Sequence, residues 1–253
     1  MNKRIKNLTS IAAVVALVFT VIGCNQRSGT DTPTANAPAA NSAPPAAATT
    51  TTAAAKDISG SYTVSGQNEG GGGDYAGELK VTKRDQVYQF SWTSGSKSYD
   101  GVGVQTANSV GVAYTEGADG KGCGVVLYQI KPDATLDGKA GYWGVNEAES
   151  EMATRTSGSG LEGSYDLKGT NTKGGNYAGK LTVKKEGAGY KFQWTAPSAL
   201  TGFGIQGADM VAVGIGGNQC GFVGYDIQPD GSLSGKWGSP GSPSVGTEVA
   251  KKK

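Results

Sequence analysis

The chain has 253 residues, a formal net charge of +2, 42 glycines and no histidine. The missing imidazoles exclude His-based triads, His general bases, His-ligated zinc and His pH switches. Lys3, Arg4 and Lys6 stand apart in a basic N-terminus; without them the chain carries 20 basic and 21 acidic residues, a near-neutral body with no footprint for nucleic acid.

Taken in order, Met1–Lys6 is basic and Ile11–Ile22 is apolar, too short to span a bilayer comfortably and suited to the core of a signal peptide. The run closes on Val21-Ile22-Gly23-Cys24, which resembles the lipobox of bacterial lipoproteins. The resemblance implies a leader over residues 1–23, acyl chains such as palmitate on Cys24, and a lipid anchor in the cell envelope. Asn25 stands where an aspartate would favour the inner membrane, so the outer membrane is the implied destination. Several acyl chains at about 0.8 kcal/mol per buried methylene make such anchoring stable. Residues 24–56 then form an Ala/Thr/Pro/Asn/Ser segment without apolar periodicity. The reading is a disordered tether, spanning on the order of 30 Å as a coil.

From Ile58 the chain reads as short alternating runs divided by Gly, Asn and Asp turns, the mark of antiparallel β structure. Expected strands are Gly60–Gly66, Tyr75–Lys83, Val87–Thr93, Tyr99–Gln105, Ser109–Tyr114, Gly124–Ile130, Thr135–Trp143 and Glu149–Arg155. The same set then returns. Cys123-Gly-Val-Val-Leu-Tyr-Gln-Ile-Lys-Pro-Asp recurs as Cys220-Gly-Phe-Val-Gly-Tyr-Asp-Ile-Gln-Pro-Asp, so residues 57–156 and 157–253 are two copies of one unit, the second ending in a basic tail, Lys251–Lys253. The offset shrinks from 103 at Tyr62/Tyr165 to 97 at Glu151/Glu248, which places the length differences in turns.

The expected fold is all-β: two tandem, antiparallel, up-and-down repeats of about eight strands, each closing into a small barrel, related by a pseudo-two-fold. Val102, Val104, Val110, Val112, Val126, Tyr128 and Ile130 read as the inward set. The opposite face, with Gly101, Gly103, Gly111, Ala113, Cys123, Val125 and Leu127, is apolar or small throughout. It reads as the contact surface between the units. Equivalent residues meet near a two-fold, so Cys123 and Cys220 are a candidate disulfide in an oxidising compartment.

Candidate chemistry is sparse. Glu69–Asp74 is a glycine-rich turn before a strand and lacks the lysine of a phosphate-binding loop. Glu151 and Glu248 recur at the last strand of each copy, alone, and read as strand-end carboxylates or lysine partners. The recurrent aromatics Tyr62, Tyr88, Trp92 and Tyr128, with Tyr165, Tyr190, Trp194 and Tyr225, are the speculative ligand-lining set; filled core is the competing reading, and the one preferred, for so small a barrel. No catalytic residue, metal ligand or cofactor motif emerges.

The repeat pattern Gly-x-Tyr, Tyr-x-Gly, Phe-x-Trp, Gly-x-Gly, Tyr-x-Ile and Leu-x-Gly-Lys looks like repeats of bacterial exported proteins labelled fibronectin-binding. By architecture alone the fold also looks like the avidin and metalloprotease-inhibitor barrels. The expected function is therefore a non-enzymatic, envelope-anchored binding module with a protein or glycan partner and with the membrane, through its lipid. The alternative is a periplasmic enzyme inhibitor or small-ligand carrier.

Overall fold

The computed structural model describes residues 55–253 except 118 and 197. The leader, Cys24 and nearly all of the tether lie outside the described residues. Sixteen strands follow: β1 (Gly60–Gln67), β2 (Asp74–Arg84), β3 (Val87–Ser94), β4 (Lys97–Gln105), β5 (Ser109–Glu116), β6 (Gly124–Ile130), β7 (Leu136–Tyr142) and β8 (Glu149–Ser159) from the first copy. The second copy gives β9 (Glu162–Thr170), β10 (Asn176–Glu186), β11 (Gly189–Ala196), β12 (Leu200–Gln206), β13 (Met210–Ile215), β14 (Gly221–Ile227), β15 (Leu233–Gly238) and β16 (Gly246–Lys252). In the first copy, strand starts fall within two residues of the alternation in the sequence, and β8 runs four residues further.

The strands form two closed antiparallel barrels of eight, but neither barrel is one copy. The first runs β1-β16-β15-β14-β5-β4-β3-β2 and the second β10-β11-β12-β13-β6-β7-β8-β9. Each copy closing on itself is thus corrected: the first five strands of one copy are completed by the last three of the other. The seams are equivalent. β5 pairs with β14 through Val112↔Val223, and β13 pairs with β6 through Val213↔Val126. At the other seam the second barrel uses the covalent hairpin β8–β9, whereas the first pairs β1 with β16, so the described ends of the chain lie side by side. Of the terminal lysines, Lys251 and Lys252 extend the last strand and Lys253 follows it; all three stay exposed, Lys252 pairs with Tyr62 across the sheet, and Lys253 Nζ reaches Glu78 Oε1 at 2.5 Å.

Three apolar layers result. Tyr62, Leu79, Phe90, Val110, Val112 and Tyr225 are among those that fill the first barrel, and Tyr128, Tyr165, Leu181, Phe192, Val211 and Val213 are among those that fill the second. Between them lies a third layer that includes Val102, Val104, Ala113, Cys123, Val125, Leu127, Ala212 and Cys220. Val102 and Val104 were expected inward and instead face the other barrel. The register turns Gly103 inward, where a Cβ would stand 2.5 Å from the Phe90 ring, so the large ring fills that side and the valines are left for the interface. Elsewhere the apolar face does what its pattern implies, and equivalent positions meet: a Cβ on Gly111 would stand 3.3 Å from that of Ala212.

Cys123 and Cys220 are bonded, with Cα atoms 5.9 Å apart, and each immediately precedes a strand that crosses to the other barrel. Gly216 makes room for them: its φ is +134°, and a Cβ there would sit 2.3 Å from Cys220 Sγ. The bond closes a loop of 97 residues, for which loop-entropy arguments give about 4–5 kcal/mol of stabilisation. Changing both Cys123 and Cys220 to Ser should lower stability by about 3–5 kcal/mol in denaturant titration while leaving the β spectrum intact. Separately produced 57–156 and 157–253 should each fail to give a cooperatively folding monomer, and should form a 1:1 complex on mixing, by light scattering. Two autonomous monomers would show that a copy can close on itself.

Candidate functional site

Each barrel holds one of the two recurrent glutamates buried among aromatic donors, and neither caps a strand nor meets a lysine, which corrects the expectation for both. In the first barrel Glu248 Oε1 accepts from Trp92 Nε1 at 3.0 Å and from the Tyr225 hydroxyl, and Oε2 accepts from Tyr75 at 2.8 Å. In the second, Glu151 Oε1 accepts from Trp194 Nε1 at 3.1 Å and from the Tyr128 hydroxyl, and Oε2 accepts from Tyr177 at 3.1 Å. Both clusters cross the copies. Glu248 and Tyr225 belong to the second copy and Tyr75 and Trp92 to the first; the Glu151 cluster mirrors this. Strand exchange therefore builds the two sites along with the two barrels.

Local sequence positions each donor. Tyr75 and Tyr177 lie flat across the neighbouring strand because that strand carries glycine beneath them: a Cβ on Gly66 or Gly169 would stand 2.5 Å from the tyrosine oxygen. Burial, and next the charge of the glutamate, push Tyr75, Tyr128, Tyr177 and Tyr225 upward, so these phenols remain protonated donors. Glu248 is also raised above the ordinary carboxylate value; burial outweighs the three hydrogen bonds, which act downward.

The eight recurrent aromatics separate accordingly. Tyr62 and Tyr165 are buried and donate to the carbonyls of Ile58 at 2.6 Å and Leu161 at 2.7 Å, tying each entering segment to its barrel. Tyr88 is buried in the first core, Tyr190 packs on the second core under Lys185 Nζ at 4.4 Å, and Tyr128, Tyr225 and Trp194 hold the carboxylates. Six of these seven are buried in the barrel interiors and Tyr190 is half-buried against the second. Trp92 also lines a cavity.

That cavity, of about 550 Å³, is at the mouth of the first barrel, with Trp92, Tyr75 and Glu248 in its wall. Three more aromatics complete it: Tyr99, Tyr114 and Trp237. Their rings meet at steep angles: Tyr99 on Tyr114 at 5.9 Å and 81°, Tyr75 on Trp237 at 6.2 Å and 72°. The sequence comparison passed over these three because they do not recur. Pairing fixes their counterparts. Tyr99 faces Trp92 as Leu200 faces Trp194, and Tyr114 faces Gly101 as Ile215 faces Gly202. Trp237 on β15 stands where β7 has Ala140. The two barrels thus share one buried core and differ at one mouth. The signal was present in the sequence as departures from the repeat.

Around the rim, Lys97 pairs with Glu116 at 3.2 Å, and Glu78 pairs with Lys253. Among the described residues no group of three or more Cys, Asp or Glu gathers as metal ligands do. Compared with family models, curated proteins and solved structures, the chain has no match.

Glu248→Ala leaves the buried Tyr225 hydroxyl and the Trp92 indole N–H without their acceptor, at about 1–3 kcal/mol each, while the half-buried Tyr75 hydroxyl keeps the Thr247 carbonyl at 3.4 Å. A loss of at least about 2 kcal/mol is expected in denaturant unfolding, and Glu151→Ala should cost a similar amount. For Glu248 the pH sign follows from its raised value. The folded state holds the proton more tightly than the unfolded chain, so this contribution is full below the ordinary value of 4.5 and is lost as pH rises through the folded value. Thermal midpoints of the wild type should therefore fall over that window relative to Glu248→Gln. An identical pH profile for the two proteins would refute the assignment.

Proposed function

We propose that the protein is a non-enzymatic binding module of the bacterial cell envelope, held to the outer membrane by lipid on Cys24, with its ligand site at the mouth of the first barrel. One observation carries this reading: around the same carboxylate and the same Tyr and Trp donors, only the first barrel carries Tyr99, Tyr114 and Trp237, where the second has Leu200, Ile215 and Ala140. The second barrel has one half-buried aromatic without an aromatic counterpart in the first, Tyr142 over Gly124, so packing alone gives no reason for three such rings at the first mouth. A volume of about 550 Å³ lies within the range of small-ligand sites, which are apolar with a few convergent polar groups.

The geometry favours capture of a small molecule, or of the exposed end of a larger one, over a flat protein interface. Acid–base catalysis is poorly supported. Glu248 and Glu151 lie in different barrels, and each is engaged by three donors. The tether suits a module that must reach beyond the membrane surface.

The experiment is native mass spectrometry after exposure to envelope and host-matrix extracts digested to small fragments. The wild type should retain one ligand per chain. The triple variant Tyr99→Leu, Tyr114→Ile, Trp237→Ala, which installs the second barrel's own residues, should lose that ligand with little change in thermal midpoint. Retention of the same mass by the variant would place the site elsewhere.

A further inference from the structure

The polar atoms at the base of the cavity narrow its ligand, an argument that rests on reading the first barrel's mouth as a binding site. Glu248 Oε1 is occupied by two donors, Trp92 Nε1 at 3.0 Å and the Tyr225 hydroxyl. Oε2 takes only Tyr75, at 2.8 Å, and so keeps capacity for one more donor. Nearby, Trp237 Nε1–H is buried and makes no hydrogen bond of good geometry among the described residues, although it lies near enough to the Tyr75 hydroxyl to act on that phenol. Native proteins leave few such groups unpaired. Tyr75 touches both, donating to Glu248 while its ring centroid lies 6.2 Å from that of Trp237. All three residues line the cavity, so its wall holds a donor without a well-formed bond and an under-used acceptor, both adjoining Tyr75.

A hydroxyl group donates and accepts at once and satisfies both. An ammonium only donates and would leave the indole unmet. A phosphate or carboxylate only accepts, and would face Glu78, Glu116 and Glu248 with Lys97 as the single basic residue in the wall. The remaining polar wall is neutral and suited to further hydroxyls: Asn68, Thr93, Thr115 and Gln219. The aromatic rings offer flat apolar surface to the C–H face of a ring. We propose that the mouth of the first barrel binds an uncharged sugar ring, with one hydroxyl shared between Glu248 and Trp237 and the ring's apolar face against the aromatic wall.

The test titrates the full chain, in a detergent without a sugar headgroup, with cellobiose, maltose, lactose and chitobiose, and in parallel with choline and tetramethylammonium. Intrinsic tryptophan fluorescence follows binding. At least one saccharide should saturate the signal. Trp237→Phe, which keeps a ring and removes the N–H, should weaken that saccharide by about tenfold, the effect of one good hydrogen bond. The mouth variant carrying Leu, Ile and Ala should abolish the signal. Binding of choline or tetramethylammonium with no saccharide binding would overturn the sugar assignment and leave the ligand site standing. Equal saccharide affinity in wild type and Trp237→Phe would overturn the shared hydroxyl. No response to any of the six probes would overturn the sugar assignment; the site itself would then fall only if extract-derived mass were also retained by the mouth variant.

Discussion

Each copy of the repeat lends three strands to the other, and the rest of the molecule depends on that exchange. A five-strand sheet and a three-strand sheet each have unpaired edges, and an unpaired edge exposes backbone donors and acceptors. Closing two barrels from mixed strands removes every edge at once. It also joins the copies through four interstrand seams rather than through side-chain packing alone. The disulfide between Cys123 and Cys220 lies where the chain passes from one barrel to the other, so it fastens the exchange itself. The layer of small and β-branched residues around it lets the barrels approach closely.

The exchange has a second consequence for chemistry. Each buried glutamate receives one phenol from its own copy and a phenol and an indole from the other. A charge or proton placed in an apolar barrel is tolerable only when it is fully solvated by protein donors. Each copy carries one full set, Glu151, Tyr128, Tyr75 and Trp92 in the first and Glu248, Tyr225, Tyr177 and Trp194 in the second, and the exchange divides both sets between the barrels. The clusters therefore hold the seams between copies closed, but they do not by themselves choose the exchanged pairing over self-closure, which would bring an equivalent set together.

Duplication then allowed the two mouths to diverge. The shared parts are those that hold the barrels shut: the glycines under Tyr75 and Tyr177, the carboxylates, and the indoles of Trp92 and Trp194. What differs are positions above that floor, where an aromatic ring changes the shape of an opening without disturbing the pairing beneath it. The first barrel carries an aromatic cup with Trp237 in its wall, where the second has Leu200, Ile215 and Ala140.

Strand positions, the all-β class, the duplication and most of the apolar interface are set by local pattern, and the sequence alone determined them; the face of β4, with Val102 and Val104 on the interface, was decided by its register. Period-2 alternation, turn residues and self-similarity are properties of short segments. The candidate cysteine pair was legible for the same reason, since equivalent residues meet on a two-fold. Which strands share a barrel was decided only by tertiary structure, because a hairpin-length connection can lead either back to its own sheet or across to the next. Glu248 and Glu151 read as strand-end acids because their donors lie 23 to 173 residues away. The mouth followed the same rule. Comparing the copies brings out what is shared and so finds the core, whereas Tyr99, Tyr114 and Trp237 gain meaning only when the closed barrel sets them around one opening.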